Sequence, residues 1–133
     1  MARVDCGGGC VTLAELVLPW PDRALHPNTR GHWARRSKAT KHARHFAYMC
    51  AMQAGWKPGA APEGRIHVWI DAYPKDRRRR DADGLLSSMK AALDGIADAL
   101  GVDDRRFVPH PFVKDEVRGP YGEVRIRITG GPQ

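Results

Sequence analysis

Apolar and polar positions follow two different periods along the chain, and each period predicts a different element. Residues alternate with period two over Arg65–Tyr73 and over Glu123–Thr129, which is typical of strands with one face in a core. Apolar residues recur at spacings of three and four over Asp83–Leu100, which predicts an amphipathic helix. The segment His32–Ala54 has no Pro or Gly and is rich in Ala, Lys and Arg, which favours a second helix.

Two further apolar segments are predicted to be strands. Val11–Leu18 precedes a loop at 19–31 that holds three prolines. Phe107–Val117 is interrupted by prolines, and a turn at 118–122 leads from it into the strand Glu123–Thr129. Because a short turn joins these two segments, they are expected to form an antiparallel hairpin.

The resulting order is strand, helix, strand, helix, strand, strand, which predicts the α+β class. We expect a single compact domain with a mixed β-sheet and two main helices packed on one of its faces. Residues 1–10 carry the run Gly7-Gly8-Gly9 and are predicted to be a flexible tail, which leaves 11–133 as the domain.

Composition excludes several classes of protein. No apolar run reaches the roughly 18 residues that a membrane span needs, and the N-terminus lacks the apolar segment of a secretory signal. The three cysteines lack the paired spacing of a zinc site, and their odd number does not suit a disulfide framework. We therefore expect a soluble, cytoplasmic domain.

The net charge of +7 is concentrated in two basic blocks. No acidic residue occurs between Arg23 and Cys50, and a run of four arginines follows Asp76. Such blocks favour nucleic acid as a partner, although they are also compatible with a merely solvated surface. The candidate phosphate-binding residues are Arg35, Arg36, Lys38, Lys41, Arg77, Arg78, Arg79 and Arg80.

A strongly acidic stretch directly follows the four arginines. Within it, Lys90 is the single basic residue. A protein that only bound nucleic acid would gain nothing from carboxylates beside phosphates, whereas an enzyme that needs a cation at the phosphate would. The six aspartates of the stretch are Asp81, Asp83, Asp94, Asp98, Asp103 and Asp104.

The chemistry of the acidic stretch suits a magnesium ion. Mg²⁺ prefers carboxylate, water and phosphate oxygens, and in phosphodiester hydrolysis it orients water and neutralises developing charge. Lys90 lies on the same sector of the predicted helix as Asp83, where it could stabilise the transition state. The aspartates before and after the helix are separated by about 27 Å of helix. They can therefore meet only if the chain folds back along the helix or if they meet across a dimer.

Each of these residues also has an ordinary structural interpretation. Asp81 or Asp83 is a candidate N-cap, which is the commonest role of Asp just before a helix. Lys90 and Asp94 have the spacing of an exposed ion pair on a helix. The pair Asp103-Asp104 suits a turn.

Aromatic residues offer a second way to bind nucleic acid. The candidates to stack on unpaired bases, or to wedge a junction open, are Trp20, Trp33, Trp69 and Tyr73. At least two of the four tryptophans are expected in the core instead, because burial is the commoner fate of this side chain.

Several short motifs follow one another along the chain. They are Leu18-Pro19-Trp20-Pro21, Pro27-Asn28, Tyr73-Pro74, Asp76-Arg77-Arg78-Arg79-Arg80-Asp81-Ala82-Asp83, Lys90-Ala91-Ala92-Leu93-Asp94 and Asp103-Asp104. In this order they resemble the RusA family of Holliday junction resolvases, which bacteriophages and prophages often encode. The resemblance covers roughly residues 13–129, nearly the whole domain.

The resemblance implies a similar fold and the activity of a DNA endonuclease. Members of the family are homodimers that use Mg²⁺ to cut symmetric strands of a four-way junction in DNA recombination and repair. The matching motifs make Asp81, Asp83 and Asp104 the catalytic carboxylates that bind the metal, with Asp103 beside them. They make Lys90 the catalytic lysine, and the basic residues would bind the flanking phosphates.

Two positions depart from the family's pattern. Gly84 stands where the family usually has Asn, and Ser87 stands where its lysine often lies. Positions 87 and 90 share a helix sector, so Lys90 can reach the same place. The Gly84 departure motivates an alternative, a non-catalytic protein that binds junctions or other DNA and retains the fold. A nuclease that acts on branched DNA more broadly is a third interpretation.

Overall fold

The computed structural model describes residues 15–26, 33–77 and 80–131. The predicted tail and the first part of the predicted strand Val11–Leu18 lie outside the described residues. The elements are β1 (Leu16–Pro19), α1 (Trp33–Gln53), β2 (Arg65–Tyr73), α2 (Ala82–Leu100), β3 (Phe107–Val113) and β4 (Glu123–Gly131), with 3₁₀ turns at Arg23–Leu25 and Asp104–Arg106. No helix within these described ranges is long and apolar enough to cross a membrane.

The four strands form one mixed sheet in the order β1-β4-β2-β3, which confirms the predicted α+β class. β4 runs antiparallel to β1 and to β2, whereas β3 runs parallel to β2. The predicted hairpin between the last two strands is therefore wrong. Helix α2 carries the chain across the sheet and returns β3 parallel to β2, and β4 then takes its place on the other side of β2. β3 also ends at Val113, short of the predicted Val117.

The core lies between the sheet and the helices. Strand positions predicted to point inward, such as Ile70 on β2 and Ile126 on β4, are fully buried, and so is Ile96 on the apolar side of α2. Trp56 is fully buried after the end of α1, and Trp20 packs against the same core. The expectation of at least two core tryptophans is therefore met fully by Trp56 alone, since Trp20 and Trp69 are half-buried and Trp33 is exposed.

The backbone of α1 lies directly against Gly95 of α2. A Cβ at this position would overlap the backbone carbonyl of Arg44 in α1. The side chains that α1 buries are small, Ala47 and Ala51. Arg44 also forms a salt bridge of 2.7 Å with Asp98 of α2. A glycine and two alanines therefore let the basic helix lie directly against α2.

Candidate functional site

Asp81 caps the N-terminus of α2. Its backbone is extended, and its carboxylate oxygen Oδ1 accepts a hydrogen bond of 3.1 Å from the backbone N–H of Gly84. The ordinary interpretation of Asp81 as a helix cap is thus confirmed. Because a carboxylate has two oxygens with several lone pairs, capping leaves Asp81 with capacity to bind a cation as well.

A pocket of about 350 Å³ opens beside this cap. At its rim the guanidinium carbon of Arg80 lies 5.1 Å from the centroid of the Trp20 ring, and Arg80 also forms a 3.0 Å salt bridge with Asp76. The lining includes Trp20, His26, Arg80, Asp81 and Ser88. The pocket thus places a cation, a carboxylate and an aromatic ring around one small space.

Gly84 makes room for His26, a residue that the sequence patterns did not single out. A Cβ at Gly84 would lie 2.6 Å from Oδ1 of Asp81 and 2.9 Å from Nε2 of His26. Any larger side chain at position 84 would compete with both side chains for this space. His26 follows the 3₁₀ turn Arg23–Leu25, where no periodicity or motif spacing marks it. Only the fact that residue 26 is a histidine could have suggested a functional role for it.

Lys90 joins two carboxylates halfway along α2. Its Nζ donates hydrogen bonds of 2.8 Å to Oδ1 of Asp94 and of 2.8 Å to Oδ2 of Asp104. Asp104 begins the 3₁₀ turn after α2, so the chain beyond Gly101 folds back along the helix within one molecule. The fold-back brings Asp104 to Lys90, but within the described residues it does not bring Asp104 into a three-ligand group with Asp81 and Asp83.

These hydrogen bonds shift the pKa values of the groups that make them. The bond to Asp104, and then the bond to Asp94, raises the pKa of Lys90. The bond from Lys90 lowers the pKa of Asp104. Both shifts favour the charged form, so ammonium and carboxylate stay ionised at neutral pH. Because the Lys90 side chain is 63% exposed, a phosphate oxygen arriving from solvent can reach it.

Asp83 follows the capping residue Asp81 by two positions, and Asp103 directly precedes Asp104. Both side chains are exposed. Asp83 lies in the first turn of α2, where a carboxylate interacts favourably with the helix dipole. Oδ1 of Asp103 accepts a 2.9 Å hydrogen bond from the N–H of Arg105 and so caps the 3₁₀ turn. The predicted turn at Asp103-Asp104 is thus confirmed.

The predicted metal ligands do not form one preassembled set. Over residues 15–26, 33–77 and 80–131, no group of three or more His, Cys, Asp or Glu side chains is arranged to hold a metal ion. Asp81 and Asp83 lie at the start of α2, whereas Asp104 is bound to Lys90. Their donor chemistry still fits Mg²⁺, which is usually held by one or two carboxylates and completes its shell with water and substrate phosphate.

Most of the predicted phosphate-binding residues that the structure describes are exposed, but Arg80 is half-buried and forms its salt bridge with Asp76. Arg77 is exposed before α2, and Arg78 and Arg79 lie outside the described residues. Exposed cations also cover the first half of α1. They are Arg35, Arg36, Lys38 and Lys41.

A groove of about 960 Å³ connects this basic surface with α2. Its walls carry Arg35 and Lys38 from α1 and Arg23 from the 3₁₀ turn. Its far side reaches Ser88 of α2, which also lines the pocket beside Asp81. The groove and the pocket thus adjoin, and they place the cations of α1 next to the start of α2.

Comparison with known proteins gives one substantial similarity. No family model matches the chain. The chain is 52% identical over 123 residues to an uncharacterized protein of Xylella fastidiosa strain Temecula1. The aligned part covers 92% of this chain and 80% of that protein, so the similarity spans nearly the whole domain.

Proposed function

We propose that this chain, which belongs to the same family as the Xylella fastidiosa protein, is a magnesium-dependent endonuclease that resolves four-way DNA junctions. The observation that carries the proposal is the return of Asp104 to Lys90 on α2, within a chain whose motifs follow the order of the RusA family. This return brings the last acidic motif to the helix that Asp81 caps. The protein would act in the cytoplasm, in DNA recombination and repair, for a bacterium or its phage.

In this proposal Asp81, Asp83 and Asp104 would hold the magnesium ion, with Asp103 beside them, and Asp104 would have to move toward the start of α2 when the metal binds. When bound, Mg²⁺ supplies an oriented water and stabilises the charge that develops on the cleaved phosphodiester. The ammonium of Lys90 is charged at neutral pH, exposed and already placed between carboxylates. It would donate hydrogen bonds to the phosphate oxygens that become more negative as the P–O bond breaks.

The basic residues would hold the DNA strands on either side of the cut. The groove beside α1 reaches Ser88, so a strand bound there could lead toward Asp81. Phosphate contacts of this kind position a strand without reading its sequence. Resolution of a junction needs two matched cuts, and a two-fold homodimer supplies two equivalent sites. The assigned phosphate-binding residues are Arg35, Arg36, Lys38, Lys41, Arg77, Arg78, Arg79 and Arg80.

A non-catalytic DNA-binding protein is the second candidate. Two observations favour it. Asp81 and His26 fill the space of the side chain that Gly84 lacks. The carboxylates also form no three-ligand group in the described ranges. This candidate predicts junction binding that does not depend on Mg²⁺, without cleavage.

Cleavage of synthetic DNA tests the proposal. Purified protein is incubated with a four-way junction, a flap and a linear duplex, with Mg²⁺ or with a chelator. We expect symmetric cuts in the junction that require Mg²⁺ and are lost in Asp81→Asn and Asp104→Asn. Asp115→Asn, in an exposed loop, is the matched control and should cleave normally.

The choice of Asn at position 81 separates chemistry from folding. Asn is as good an N-cap as Asp, so the variant keeps α2 capped while it loses a charged metal ligand. An inactive wild type that still binds the junction would favour the non-catalytic candidate. Undiminished cleavage by Asp81→Asn would contradict the assigned role of this residue, and equal cleavage of flap and junction would favour the broader branched-DNA nuclease.

A further inference from the structure

The face of the sheet that points away from the helices carries a cluster of rings. Ile66, Val68 and Ile70 of β2 point into the core, so the alternate positions point outward. In the described part of the chain the outward rings on β2 and β3 are half-buried or exposed, and Phe112 is 45% exposed. We call these rings the aromatic platform. They are His67, Trp69, His110 and Phe112.

The rings of the platform are nearly parallel. Trp69 and His110 are direct partners in the pairing of β2 with β3, and their centroids are 4.1 Å apart with an angle of 14° between the planes. Phe112 lies 6.5 Å from Trp69 with an angle of 5°. Nδ1 of His67 and Nε2 of His110 are 2.9 Å apart, so one ring donates a hydrogen bond to the other.

The central ring is held in place by its own hydrogen bond. The indole Nε1 of Trp69 donates a 2.9 Å hydrogen bond to Oγ1 of Thr129 on β4. The Trp69 ring is fixed by this hydrogen bond and by stacking on His110. It therefore loses little further freedom when another flat group packs against the cluster. The platform is therefore preorganised for stacking.

Cations surround the platform. The guanidinium of Arg127 lies 5.9 Å from the Trp69 centroid, and Nζ of Lys114 lies 5.6 Å from the Phe112 centroid. Both also lie near the carboxylate of Asp71, at 3.5 and 3.6 Å, but Asp71 is only 8% exposed. The charge that this part of the sheet presents to solvent is therefore positive.

We propose that the aromatic platform binds unpaired bases of single-stranded DNA by stacking, with Arg127 and Lys114 contacting the adjoining phosphates. Every base has a flat π-face, and that face is available to a protein ring only when the base has left the double helix. Because α2 lies on the opposite side of the sheet, the platform is separate from the site around Asp81 and Lys90. It would hold a different stretch of nucleic acid.

A second copy of the chain is a less suitable occupant. A two-fold contact through this face would pack two copies of the same positively charged surface together, and their like charges would repel. Addition of a strand at the edge is also disfavoured. β3 is the edge strand beside β2, and it contains Pro109 and Pro111, which lack the N–H groups that a new strand would need.

Binding of two matched oligonucleotides tests this inference. One probe is a fluorescent oligothymidylate of about fifteen nucleotides, and the other is an abasic strand of the same length and charge. Anisotropy is measured with a chelator present, so no cleavage activity is required and failure of the proposed nuclease function leaves the test intact. We expect the abasic strand to bind about 5- to 150-fold more weakly, because stacking is lost while the phosphates remain. Equal binding of the two strands would overturn the inference.

Three variants assign the effect to the platform. Trp69→Ala and Phe112→Ala should each weaken oligothymidylate binding about 5-fold or more and leave abasic binding unchanged. Tyr121→Ala removes a ring that is 80% exposed outside the platform and is the matched control. Phe112→Ala keeps the test decisive if loss of Trp69 disturbs the fold, and Trp69→Phe should retain part of the binding. If Trp69→Ala changes the mass in sedimentation equilibrium but not oligonucleotide binding, the platform is a contact between copies and the inference is wrong.

Discussion

The two helices differ sharply in what they bury. α2 has 19 residues, and the side of it that faces the sheet is buried over its whole length, with Met89, Ile96 and Leu100 among the fully buried side chains. α1 has 21 residues and buries two alanines. Of its larger side chains, Phe46 and Met49 are exposed, and Tyr48 is only partly buried against the core. α2 therefore belongs to the core, whereas α1 lies on the surface and is held through contacts of small residues.

This difference corresponds to the roles proposed for the helices. The carboxylates and the lysine of the candidate site lie on α2 or directly after it, where the core fixes their backbone. The cations proposed to bind phosphates lie mainly on α1, whose exposed surface is compatible with a long and flexible polyanion. We therefore expect substitutions of buried residues in α2 to lower the free energy of unfolding. Most substitutions in α1 should instead weaken DNA binding and leave the free energy of unfolding nearly unchanged.

The largest effect is expected at Ile96. Ile96→Ala removes a fully buried side chain from α2 and should lower the free energy of unfolding by about 2–5 kcal/mol. Met49→Ala, in α1 at 46% exposure, should change it by less than about 0.5 kcal/mol. Urea denaturation of the two variants measures this contrast. Equal losses would mean that α1 is as much a core helix as α2.

The contact between the helices is tested at Gly95. Gly95→Ala places a methyl group against the carbonyl of Arg44, and the backbone of α1 must shift to accommodate it. We expect a loss of about 1–3 kcal/mol, although alanine is the better helix former. Ser87→Ala on the exposed side of the same helix is the control and should be nearly neutral. A stabilised Gly95→Ala variant would show that the close approach at this residue is not required.

The bounds of β2 and α2 could be predicted because their signals are local. β2 has the predicted bounds Arg65–Tyr73, and α2 begins one residue before the predicted Asp83 and ends at Leu100 as predicted. An alternating pattern or an apolar stripe depends only on which residues of one segment face the core. The pairing of β3 could not be predicted in the same way, since a turn signal at 118–122 says nothing about which strand lies beside Phe107–Val113.

In the candidate site, too, contacts within one helix could be predicted from the sequence, whereas contacts between distant segments could not. The ion pair of Lys90 and Asp94 follows from helix geometry alone, and the structure confirms it. The contact of Lys90 with Asp104 requires the chain to fold back, which the sequence allowed but did not select. The packing of His26 against Gly84 joins segments far apart in the chain, so no pattern within either segment could reveal it.

Capping provides a smaller test of how α2 differs from α1. Asp81 and Asp83 place two carboxylates at the start of α2, whereas the first turn of α1 has no acidic residue. Asp81→Ala should lower the free energy of unfolding by about 0.5–2 kcal/mol because the N–H of Gly84 loses its partner. Asp81→Asn should be nearly neutral, since Asn caps as well as Asp. Thermal unfolding of both variants measures the difference, and equal losses would contradict a role in capping.

The smallest effect is expected for the salt bridge that joins the two helices. The hydrogen bond from Arg44 lowers the pKa of Asp98 below its ordinary 3.8, so the pair stabilises the folded protein above that pH. The contribution is lost as the pH falls through the lower pKa that Asp98 has in the folded state. Both side chains are about half exposed, so solvent screening limits the coupling to about 0.2–1 kcal/mol.

A double-mutant cycle with Arg44→Met and Asp98→Asn, measured by urea denaturation, separates this coupling from the effects of the single variants. We expect the coupling at neutral pH, a smaller value at about 1 M salt, and a value that declines as the pH falls through the lowered pKa of Asp98. A coupling that survived at acid pH would show that packing, and not charge, joins Arg44 to α2. In that case α1 would be held by apolar contact along more of its length than its two buried alanines indicate, and the contrast between the helices would be weaker.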